Sequence, residues 1–587
     1  MKKIISVLLL TAMFASIIGC GQSEPQAKRI DLTFDNQIES YDSNLFYVNE
    51  LPSQDNNPQN LLGAADPTIV YVEKGEYAGW FFMYCTSTTN TGYRCWKSKD
   101  LHSWEYVSEA LRITDKTQNW GEHSYWAPGI IYDPSDENYY LFYSAYSNKF
   151  GRLSGGIAVS SSPAGPFVNL SGEVAAGVYA NGQAYEGYTV TTADPIFDFE
   201  KLKDIVNGSY DYTENGPIKV IDLEPFIDPI TGKKYVYFCR DLGDGNYMRS
   251  AIMGMEMIDW LTPDYSTLKL LTLCGYYTPE FSQEKTPEGD VNEGAYMTYH
   301  DGKYYLTYSC FGFQDKMYQV RQAIADGPLG DFVKVPLSDG GQVIACEPDW
   351  DFLSGTGHHT FVEYGGELYI VYHEHVNRKD GAGSRAIGFD KCVFIENNKG
   401  QTIIHANGPT YSVQPRLKEV SGYKNVAETA KVSVSGAKSS VGASCLNDGV
   451  VGIRENDNSK VFRSESSKTI KITLEFPQKI DVKSILIYND YLYDYSFDKI
   501  DKIELYGTCQ KEDGSVFDGI GVLNNLLFDT AKYVSKLNEY ESLVHPASAA
   551  IAVLDKEFSA NKIVITVSPK QYASDIGLTE IAVLTKN

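Results

Sequence analysis

Five stretches between residues 60 and 380 share one pattern of hydrophobic and polar positions. Each begins at a polar or turn-forming residue, runs through an alternating apolar segment, turns, and returns through a segment rich in tyrosine. Alternation with a period of two indicates β-strands, and a turn pair such as Asp301-Gly302 between two such segments predicts a hairpin. The five stretches are DPTIVYVEKGEYAGWFFMYCTS, APGIIYDPSDENYYLFYSAYS, IDLEPFIDPITGKKYVYFCRD, EGAYMTYHDGKYYLTYSCFG and HHTFVEYGGELYIVYHEH.

The returning segments are spaced as the repeats of a β-propeller would be. Their tyrosines are 59, 94, 71 and 64 residues apart, at Tyr84, Tyr143, Tyr237, Tyr308 and Tyr372. Repeats of this length fit four-stranded blades with loops, and no helical pattern alternates with them, which disfavours an α/β barrel. We therefore predict an all-β fold with a five-bladed β-propeller at residues 59–418.

Counting back from these tyrosines identifies the head of each first strand. The count ends at Asp66, Pro128, Asp222, Glu293 and His358, so four of the five heads are ionisable. Because the first strands of radial blades surround the central axis, we expect the heads to meet at one end of it.

The composition changes after about residue 420 towards Lys, Ser, Val and Ile. Segments such as KTIKITLEF, VKSILIYND and NKIVITVS alternate with a period of two, which predicts a C-terminal β-sandwich at residues 419–587. A cluster of Tyr488, Tyr491, Tyr493 and Tyr495 could stack on sugars or pack structurally, and we favour packing. Residues 21–58 are expected to form a tether and a lead-in that adds an outer strand to a blade.

The first twenty residues, MKKIISVLLLTAMFASIIGC, have a basic start and a short apolar stretch, as in a secretory signal. The ending SIIGC resembles a bacterial lipobox, which implies cleavage before Cys20 and lipidation of that cysteine. The alternative is an ordinary signal peptide. The resemblance implies a cell-envelope lipoprotein of a Gram-negative bacterium, at the outer-membrane surface or in the periplasm, held to the membrane by its lipid alone.

The charge balance limits the ligands. With 51 basic and 76 acidic side chains the chain carries −25, which argues against nucleic acid and favours a neutral ligand. The nine cysteines beyond Cys20 include no C-x-x-C pair. We expect buried free thiols rather than disulfides or a zinc site.

Carboxylates that converge on an aromatic-lined axial pocket are what glycoside hydrolysis requires. One carboxylic acid protonates the leaving oxygen, and one carboxylate deprotonates a water or attacks the anomeric carbon. A third carboxylate near the acid can raise its pKa by repulsion between like charges. The alternative is that each acid caps a turn or pairs with a lysine.

An ordered set of motifs resembles glycoside hydrolase family 43. The motifs are Ala65-Asp66-Pro67, Trp126-Ala127-Pro128, Asp222 ahead of Phe226-Ile227-Asp228, Glu293-Gly294, Gly355-Thr356-Gly357-His358 and a later Arg385. The resemblance implies an inverting mechanism with Asp66 as general base, Asp222 as the group that modulates the pKa of the acid, and Glu293 as general acid. One departure is that Ala295 follows Gly294 where the family usually has proline. Asp194 is a rival for the base and Glu224 for the modulator.

The same resemblance implies further site residues. It makes His358 a ligand, directly or through water, of a calcium or sodium ion in the central channel. Trp126 and Phe81 are candidate sugar-binding walls, because aromatic faces stack on sugar rings, and Arg385 is a candidate donor to substrate hydroxyls. The segments NVAETAKVSVSGAKSSVGASCLNDGVVG and GLTEIAVL resemble a discoidin-like (coagulation factor type C) jelly roll of the galactose-binding type.

These features predict an inverting glycosidase that removes pentose units from plant polysaccharide, an α-L-arabinofuranosidase or a β-xylosidase. A related propeller glycosidase acting on galactan is one alternative. The alternative from another class is a glycan-binding surface lipoprotein without catalytic activity.

Overall fold

The structure is a computed structural model. It describes residues 27–38, 40–49, 61, 63–113, 120–148, 151–169, 197, 219–241, 250–274, 288–289, 291–346, 354–376, 381, 383–436, 438–464, 468–492, 495, 497, 499–510, 514–528, 547–569 and 576–587. Cys20 and Asp194 lie outside the described residues, as do the signal segment 1–20 and the first part of the tether. Within the described ranges, no helix is long and apolar enough to cross a membrane.

Five antiparallel sheets follow one another along the chain, after three short strands, β1 Lys28–Asp31, β2 Phe34–Asp35 and β3 Phe46–Tyr47. Blades 1 and 2 comprise β4 Ala65–Val72, β5 Trp80–Thr86, β6 Gly92–Ser98, β7 Glu105–Arg112, β8 His123–Asp133, β9 Asn138–Ser147, β10 Arg152–Ser160 and β11 Val168–Asn169. Blade 3 comprises β12 Lys219–Ile227, β13 Lys234–Asp241, β14 Ser250–Asp259, β15 Thr262–Pro263 and β16 Lys269–Leu273. Blades 4 and 5 comprise β17 Asn292–His300, β18 Lys303–Cys310, β19 Gln319–Ala325, β20 Val333–Lys334, β21 Gly357–Tyr364, β22 Glu367–His375, β23 Arg385–Glu396 and β24 Thr402–Ala406.

The five sheets form the predicted propeller. Each blade pairs its strands in chain order, except that β15 and β16 both pair with β14 in blade 3. The innermost strands contact one another in a closed ring, β4 with β8, β8 with β12, β12 with β17, β17 with β21, and β21 with β4. Such a ring leaves only short, protected sheet edges and encloses an axial channel.

Local sequence explains the blades. The Asp301-Gly302 pair has φ angles of 44° and 81°, and His300 pairs with Lys303 across the turn, which is the predicted tight hairpin. The five repeat tyrosines are fully buried between blades. Each hydroxyl donates to an acceptor, such as Asn169 for Tyr143 and Glu288 for Tyr308, so burying these rings leaves no unpaired polar group.

The C-terminal part is a β-sandwich. Its strands are β25 Gln414–Pro415, β26 Tyr423–Asn425, β27 Lys431–Ser435, β28 Phe462–Arg463, β29 Ile470–Asn489, β30 Lys499–Gln510, β31 Val516–Leu527, β32 Ala549–Val567 and β33 Gly577–Lys586; β25 pairs with β3, outside the sandwich. Helical turns are confined to α1 Lys418–Ser421 and the 3₁₀ segments Tyr265–Thr267, Leu337–Asp339, Ala427–Thr429, Ser444–Leu446 and Glu455–Lys460 in the described part of the chain. The long strands β29 and β32 pair with each other through register breaks, as expected where strands bend around a core.

The sequence predicts that the lead-in adds an outer strand to a blade, and the structure shows that this prediction is wrong. Instead β1 pairs in parallel with β31 and β2 pairs with β32, so both strands extend the C-terminal sandwich. The reason is hydrophobic, because Ile30, Leu32 and Phe34 pack against the sandwich core. The segment then returns to the propeller side, where β3 pairs with β25.

The propeller and the sandwich share an interface. One apolar cluster includes Phe46, Val413 and Ile453. Polar bonds add to it, including Arg454 Nη2 to His405 Nδ1 at 2.9 Å.

The tyrosine cluster of the sandwich is used for packing. Tyr488 and Tyr491 are buried, and Tyr488 Oη bonds to Gln414 at 3.3 Å. Arg463 lies over the rings of Tyr491 and Tyr495. Tyr493 lies outside the described residues. The eight cysteines with described side chains are free and buried, as predicted.

Candidate active site

Each innermost strand has the same irregularity near its first residues. The register with the second strand breaks there, and a residue with positive φ occupies the break. These residues are Asp66 (54°), Ala127 (38°), Asp222 (57°), Gly294 (56°) and His358 (44°). Positive φ is costly for residues other than glycine, and such outliers cluster at functional sites.

This geometry corrects the count from the tyrosines in two blades. The equivalent positions are Ala127 rather than Pro128, and Gly294 rather than Glu293. Glu293 therefore lies one residue before the positive-φ position of its blade. The count missed this because the number of residues between bulge and tyrosine varies from blade to blade.

Hydrogen bonds between blades hold the heads in place. The backbone N–H at a head donates to a side chain on the second strand of the preceding blade. The bonds are Ala127 to Thr86 Oγ1 (2.8 Å), Asp222 to Ser144 Oγ (3.0 Å), His358 to Ser309 Oγ (2.8 Å) and Asp66 to His373 Nδ1 (3.2 Å). In blade 3 the corresponding residue is Cys239, a weak acceptor, and Gly294 N–H donates to Asp222 Oδ2 at 3.0 Å instead. This exception directs the carboxyl of Asp222 towards the residue beside Glu293.

Asp66 is a buried carboxylate with several partners. Thr86 Oγ1 donates to its Oδ2 at 2.6 Å, and its Oδ1 lies 3.1 Å from Arg385 Nη1 and 3.3 Å from His358 Nδ1. Burial by itself would raise the pKa of Asp66, but His358 and His373 in their protonated forms, together with the Arg385 guanidinium, hold that pKa well below its usual range. Burial also lowers the pKa of His358, so the ring is neutral near pH 7 and Arg385 supplies the positive charge there. Asp66 is therefore ionised, as a general base must be.

Asp222 and Glu293 form the opposite electrostatic arrangement. Asp222 is 6% exposed, and burial raises its pKa well above the usual range, with further increases from Glu293 and Asp66. The Gly294 N–H and the charge of Arg385 act in the opposite direction and favour its charged form. Burial and the repulsion between two neighbouring carboxyls both disfavour ionisation, so this pair binds a proton more tightly than two separate exposed carboxyls would. The pair can therefore supply a proton.

The two halves of the site meet at His358. A Cβ placed on Gly294 would lie 3.1 Å from the His358 ring, and the same ring contacts Asp66. Gly294 therefore needs both its positive φ and its missing side chain. Because Gly294 follows Glu293, the histidine lies between the blade that carries the proposed acid and the one that carries the proposed base.

The predicted sugar-binding residues have different fates. Trp126 directly precedes the head of blade 2 and is 39% exposed, as a stacking wall requires. Phe81 is 0% exposed and packs edge-on against Tyr364 in the core between blades 1 and 5, so its prediction as a wall is wrong. The alternation of β5 directs Phe81 into that interface, which the sequence alone did not indicate. Arg385 is at the site, where it pairs with Asp66.

Three residues of the site were not anticipated. Thr86 bonds to both Asp66 and the head of blade 2. Tyr318 donates to Glu293 Oε1 at 2.9 Å. Phe313 is 37% exposed, and Arg385 lies over its ring. Thr86 pairs with Ala65, so an alignment of the hairpin strands would have indicated it, whereas Tyr318 and Phe313 belong to a segment without a repeat signal.

Glu224 is separated from the acid pair. The bulge between Ile221 and Glu224 disrupts the alternation that would have put Asp222 and Glu224 on one face. Glu224 lines a cavity of about 460 Å³ together with residues of all five innermost strands, among them Ile69 and Phe361. Burial alone raises its pKa, without a contribution from Glu293. This arrangement favours Asp222 over Glu224 as the modulator.

No group of three or more His, Cys, Asp or Glu side chains that could hold a metal ion occurs among the described residues. The neutral ring of His358 suits metal ligation, but its Nδ1 faces Asp66, so Nε2 is the nitrogen left for a metal. Water would have to complete the coordination of any ion there.

Comparison with known proteins agrees with this geometry. The family model "Glycosyl hydrolases family 43" matches residues 56–184 and 188–397, and "Anaphase-promoting complex, subunit 10 (APC10)" matches residues 406–504. The second match fits a discoidin-like jelly roll at the start of the C-terminal sandwich.

Individual relatives are more distant. The chain is 24% identical over 375 residues to a beta-D-galactofuranosidase of Aspergillus niger, which covers 59% of this chain and 89% of that protein. It is 24% identical over 350 residues to an extracellular endo-alpha-(1->5)-L-arabinanase of Thermotoga petrophila, over 46% of this chain and 72% of that protein. A crystal structure of a thermostable family-43 glycoside hydrolase is 27% identical, with a TM-score of 0.47, and covers 63% of this chain and 98% of that one.

The first family model spans more than half of the 587 residues, and its range includes every strand of the five blades except the last, β24, together with Asp66, Asp222 and Glu293. With its carboxylates gathered at one end of a five-bladed propeller, the chain belongs to glycosyl hydrolase family 43.

Proposed function

We propose that this glycosidase inverts the anomeric configuration of its substrate, with Asp66 as general base and Glu293 as general acid. The observation that supports this assignment is the contrast between the two sides of the site. The pKa of Asp66 is held well below its usual range beside His358 and Arg385, whereas burial and the neighbouring Glu293 raise the pKa of Asp222 well above its usual range. An inverting reaction needs one carboxylate to deprotonate water and one carboxylic acid to protonate the leaving oxygen at the same pH.

Each group has a defined task in this mechanism. Asp66 Oδ1 or Oδ2 takes a proton from a water as its oxygen attacks the anomeric carbon. Glu293 gives its proton to the glycosidic oxygen as the bond to that oxygen breaks. Asp222, buried and bonded to Gly294 N–H, keeps the proton available on the pair, and Trp126 and Phe313 present exposed aromatic faces to the sugars. An inverting pair should have its carboxyl groups roughly 6.5–9.5 Å apart in a crystal structure with bound sugar, and a separation near 5 Å would contradict the mechanism.

For the substrate we propose pentose units of plant polysaccharide, released by α-L-arabinofuranosidase or β-xylosidase activity. A galactofuranosidase or galactanase is a second candidate, because one curated relative acts on beta-D-galactofuranosides by name. An arabinanase relative supports the arabinose assignment. A panel of nitrophenyl arabinofuranoside, xyloside, galactofuranoside and galactopyranoside, together with linear arabinan, separates these activities. The anomer formed first, followed by proton NMR, tests inversion.

Two outcomes of that panel would change the assignment. Release of the retained anomer would contradict the inverting mechanism. No release from any member, combined with measurable binding of arabinan or xylan, would favour the alternative of a glycan-binding lipoprotein.

We further propose a calcium or sodium ion at His358, bound through Nε2 and water, which would stabilise the arrangement of the heads. Dialysis against a calcium chelator in a sodium-free buffer should lower the unfolding temperature of the wild type and not that of His358→Gln. Equal effects on both proteins would contradict this site.

We also propose that Cys20 is lipidated and anchors the enzyme to the cell envelope. Metabolic labelling with an alkyne fatty acid should mark the wild type and not Cys20→Ser. Labelling of both proteins would contradict the proposal.

A further inference from the structure

A buried tyrosine lies beside the proposed acid. Tyr318 precedes β19 in blade 4 and is fully buried. Its hydroxyl donates to Glu293 Oε1 at 2.9 Å. Its ring stacks on His373, with 5.4 Å between centroids and 8° between planes, and His373 Nδ1 is 3.2 Å from Asp66. Tyr318 therefore lies between the acid and a residue that contacts the base.

The position of this ring is set by packing. A Cβ on Gly357 would lie only 2.3 Å from Tyr318 Cε1, so the glycine provides the space that the ring fills. The backbone N–H of Tyr318 donates to Asp315 O at 3.0 Å and fixes the start of β19. The hydroxyl is thus held in place before substrate binds, and Glu293 has one carboxyl oxygen with a fixed donor.

We propose that Tyr318 is a positioning residue for the general acid, whose hydroxyl holds Oε1 of Glu293 so that the transferred proton is carried on Oε2. This inference rests on the proposed function of Glu293. In the reaction the O–H bond on Oε2 breaks, the proton goes to the glycosidic oxygen, and the electron pair of the cleaved C–O bond remains on that oxygen. Glu293 becomes a carboxylate, and the bond from Tyr318 strengthens as the charge develops.

Tyr318 keeps its own proton throughout. Burial raises the pKa of Tyr318 well above its usual range, and the charges of Glu293 and Asp66 raise it further. The hydroxyl is therefore a donor at every working pH. Its role is the opposite of that of Asp222, because a donor favours the charged form of an acid and a neighbouring carboxylate disfavours it.

Other charged groups surround Glu293 and must stay unchanged in a test. Asp222 is on blade 3, His358 reaches Gly294 from blade 5, and Asp66 and Arg385 lie further across the site. A Tyr318→Phe substitution leaves all of them in place and removes one hydroxyl. Tyr308→Phe is the matched control, because Tyr308 is also fully buried in blade 4 and also donates to a carboxylate, that of Glu288 at 2.7 Å rather than that of Glu293.

The experiment measures kcat/KM against pH for wild type, Tyr318→Phe and Tyr308→Phe, with one alkyl and one dinitrophenyl glycoside. Tyr318→Phe should move the alkaline limb up by about one pH unit, because the acid keeps its proton longer without the donor. It should slow the alkyl substrate roughly tenfold and the dinitrophenyl substrate much less, because only the alkyl leaving group needs the acid. Tyr308→Phe should change neither the pH of the alkaline limb nor the ratio between the rates with the two substrates.

A double variant shows whether Tyr318 acts through Glu293. Combined with Glu293→Gln, Tyr318→Phe should cause no further loss of kcat/KM with the alkyl substrate, the one that Tyr318→Phe slows by itself, whereas the losses from independent roles would add. An unmoved limb together with additive losses, in an active wild type, would overturn this inference and leave the proposed function intact. A wild type that is inactive on the whole panel would overturn both. Unfolding temperatures of all variants show whether a loss of rate reflects loss of fold.

Discussion

Asp222→Asn tests whether the charge of Asp222 keeps the acid protonated. Asparagine has the same shape, and its amide oxygen can accept the Gly294 N–H that Asp222 accepts at 3.0 Å. The head of blade 3 should therefore remain in place while one negative charge disappears. Without that charge the acid releases its proton at lower pH. The alkaline limb of kcat/KM should move to lower pH, with the acidic limb little changed.

The size of the shift follows from the contacts. Asp222 bonds to the residue next to Glu293. Two unit charges about 6 Å from each other would interact by about 3 kcal/mol at an effective dielectric constant of about 20. That energy corresponds to about two pH units. Glu293 is partly exposed, and water screens the interaction. We therefore expect the limb to move down by about one unit.

Stability provides a second measurement with a definite sign. The folded-state pKa of Asp222 is raised, chiefly by burial, so the protonated form favours the fold. The wild type gains this stability at low pH and loses it as the pH rises through the raised pKa. Asp222→Asn removes that loss. The variant should unfold at an equal or higher temperature than the wild type at pH 8, and the difference should shrink at pH 4.

The assay uses an alkyl glycoside, because a dinitrophenyl leaving group does not need the acid. Glu224→Gln is the matched control, since Glu224 is also on β12 and its pKa is also raised by burial. If Asp222→Asn leaves the limb in place while Glu224→Gln moves it, the modulator is Glu224 and the electrostatic reasoning for Asp222 is wrong.

Four further predictions concern the acid and base, the glycine, the sugar wall and the core. Glu293→Gln should slow the hydrolysis of an alkyl glycoside far more than that of a dinitrophenyl glycoside. Asp66→Asn should abolish the hydrolysis of both substrates, and added azide should restore turnover by forming a glycosyl azide of inverted configuration. The reverse pattern would exchange the roles of the two residues. Gly294→Ala should reduce kcat at least tenfold, because the added Cβ would lie 3.1 Å from the His358 ring. Gly302→Ala should keep full activity, because Gly302 also has a positive φ but a Cβ there would meet nothing within 4 Å. Equal activities of the two variants would contradict the steric argument. Trp126→Ala should raise KM without lowering the unfolding temperature. Phe81→Ala should lower the free energy of unfolding by about 3–5 kcal/mol, measured by urea unfolding. Unchanged stability in Phe81→Ala would mean that this ring is not part of the core.

The repeat, the fold class and most of the site could be predicted from sequence because they depend on short-range rules. Alternation and turn residues set each hairpin, as the His300–Lys303 pairing around Asp301-Gly302 shows. The motif order indicates Asp66, Asp222 and Glu293, and the repeat position agrees for Asp66 and Asp222 and lies one residue from Glu293. The structure brings Asp66, Asp222 and the residue beside Glu293 to one end of the channel, through contacts with Arg385, Gly294 and His358.

The sequence by itself did not determine which residue of each innermost strand takes the positive-φ position, or which side chains surround that residue. A bulge shifts the register by one residue, so Gly294 rather than Glu293 is the equivalent of Asp66. The prediction for Phe81 is wrong because alternation shows which residues share one face of a strand, but it does not show which blade packs against that face. The lead-in was misplaced for the same reason, since its apolar residues could cover either domain. Thr86 and Tyr318 act across strands and blades, and such contacts between residues distant in the sequence exist only once tertiary packing has closed the ring.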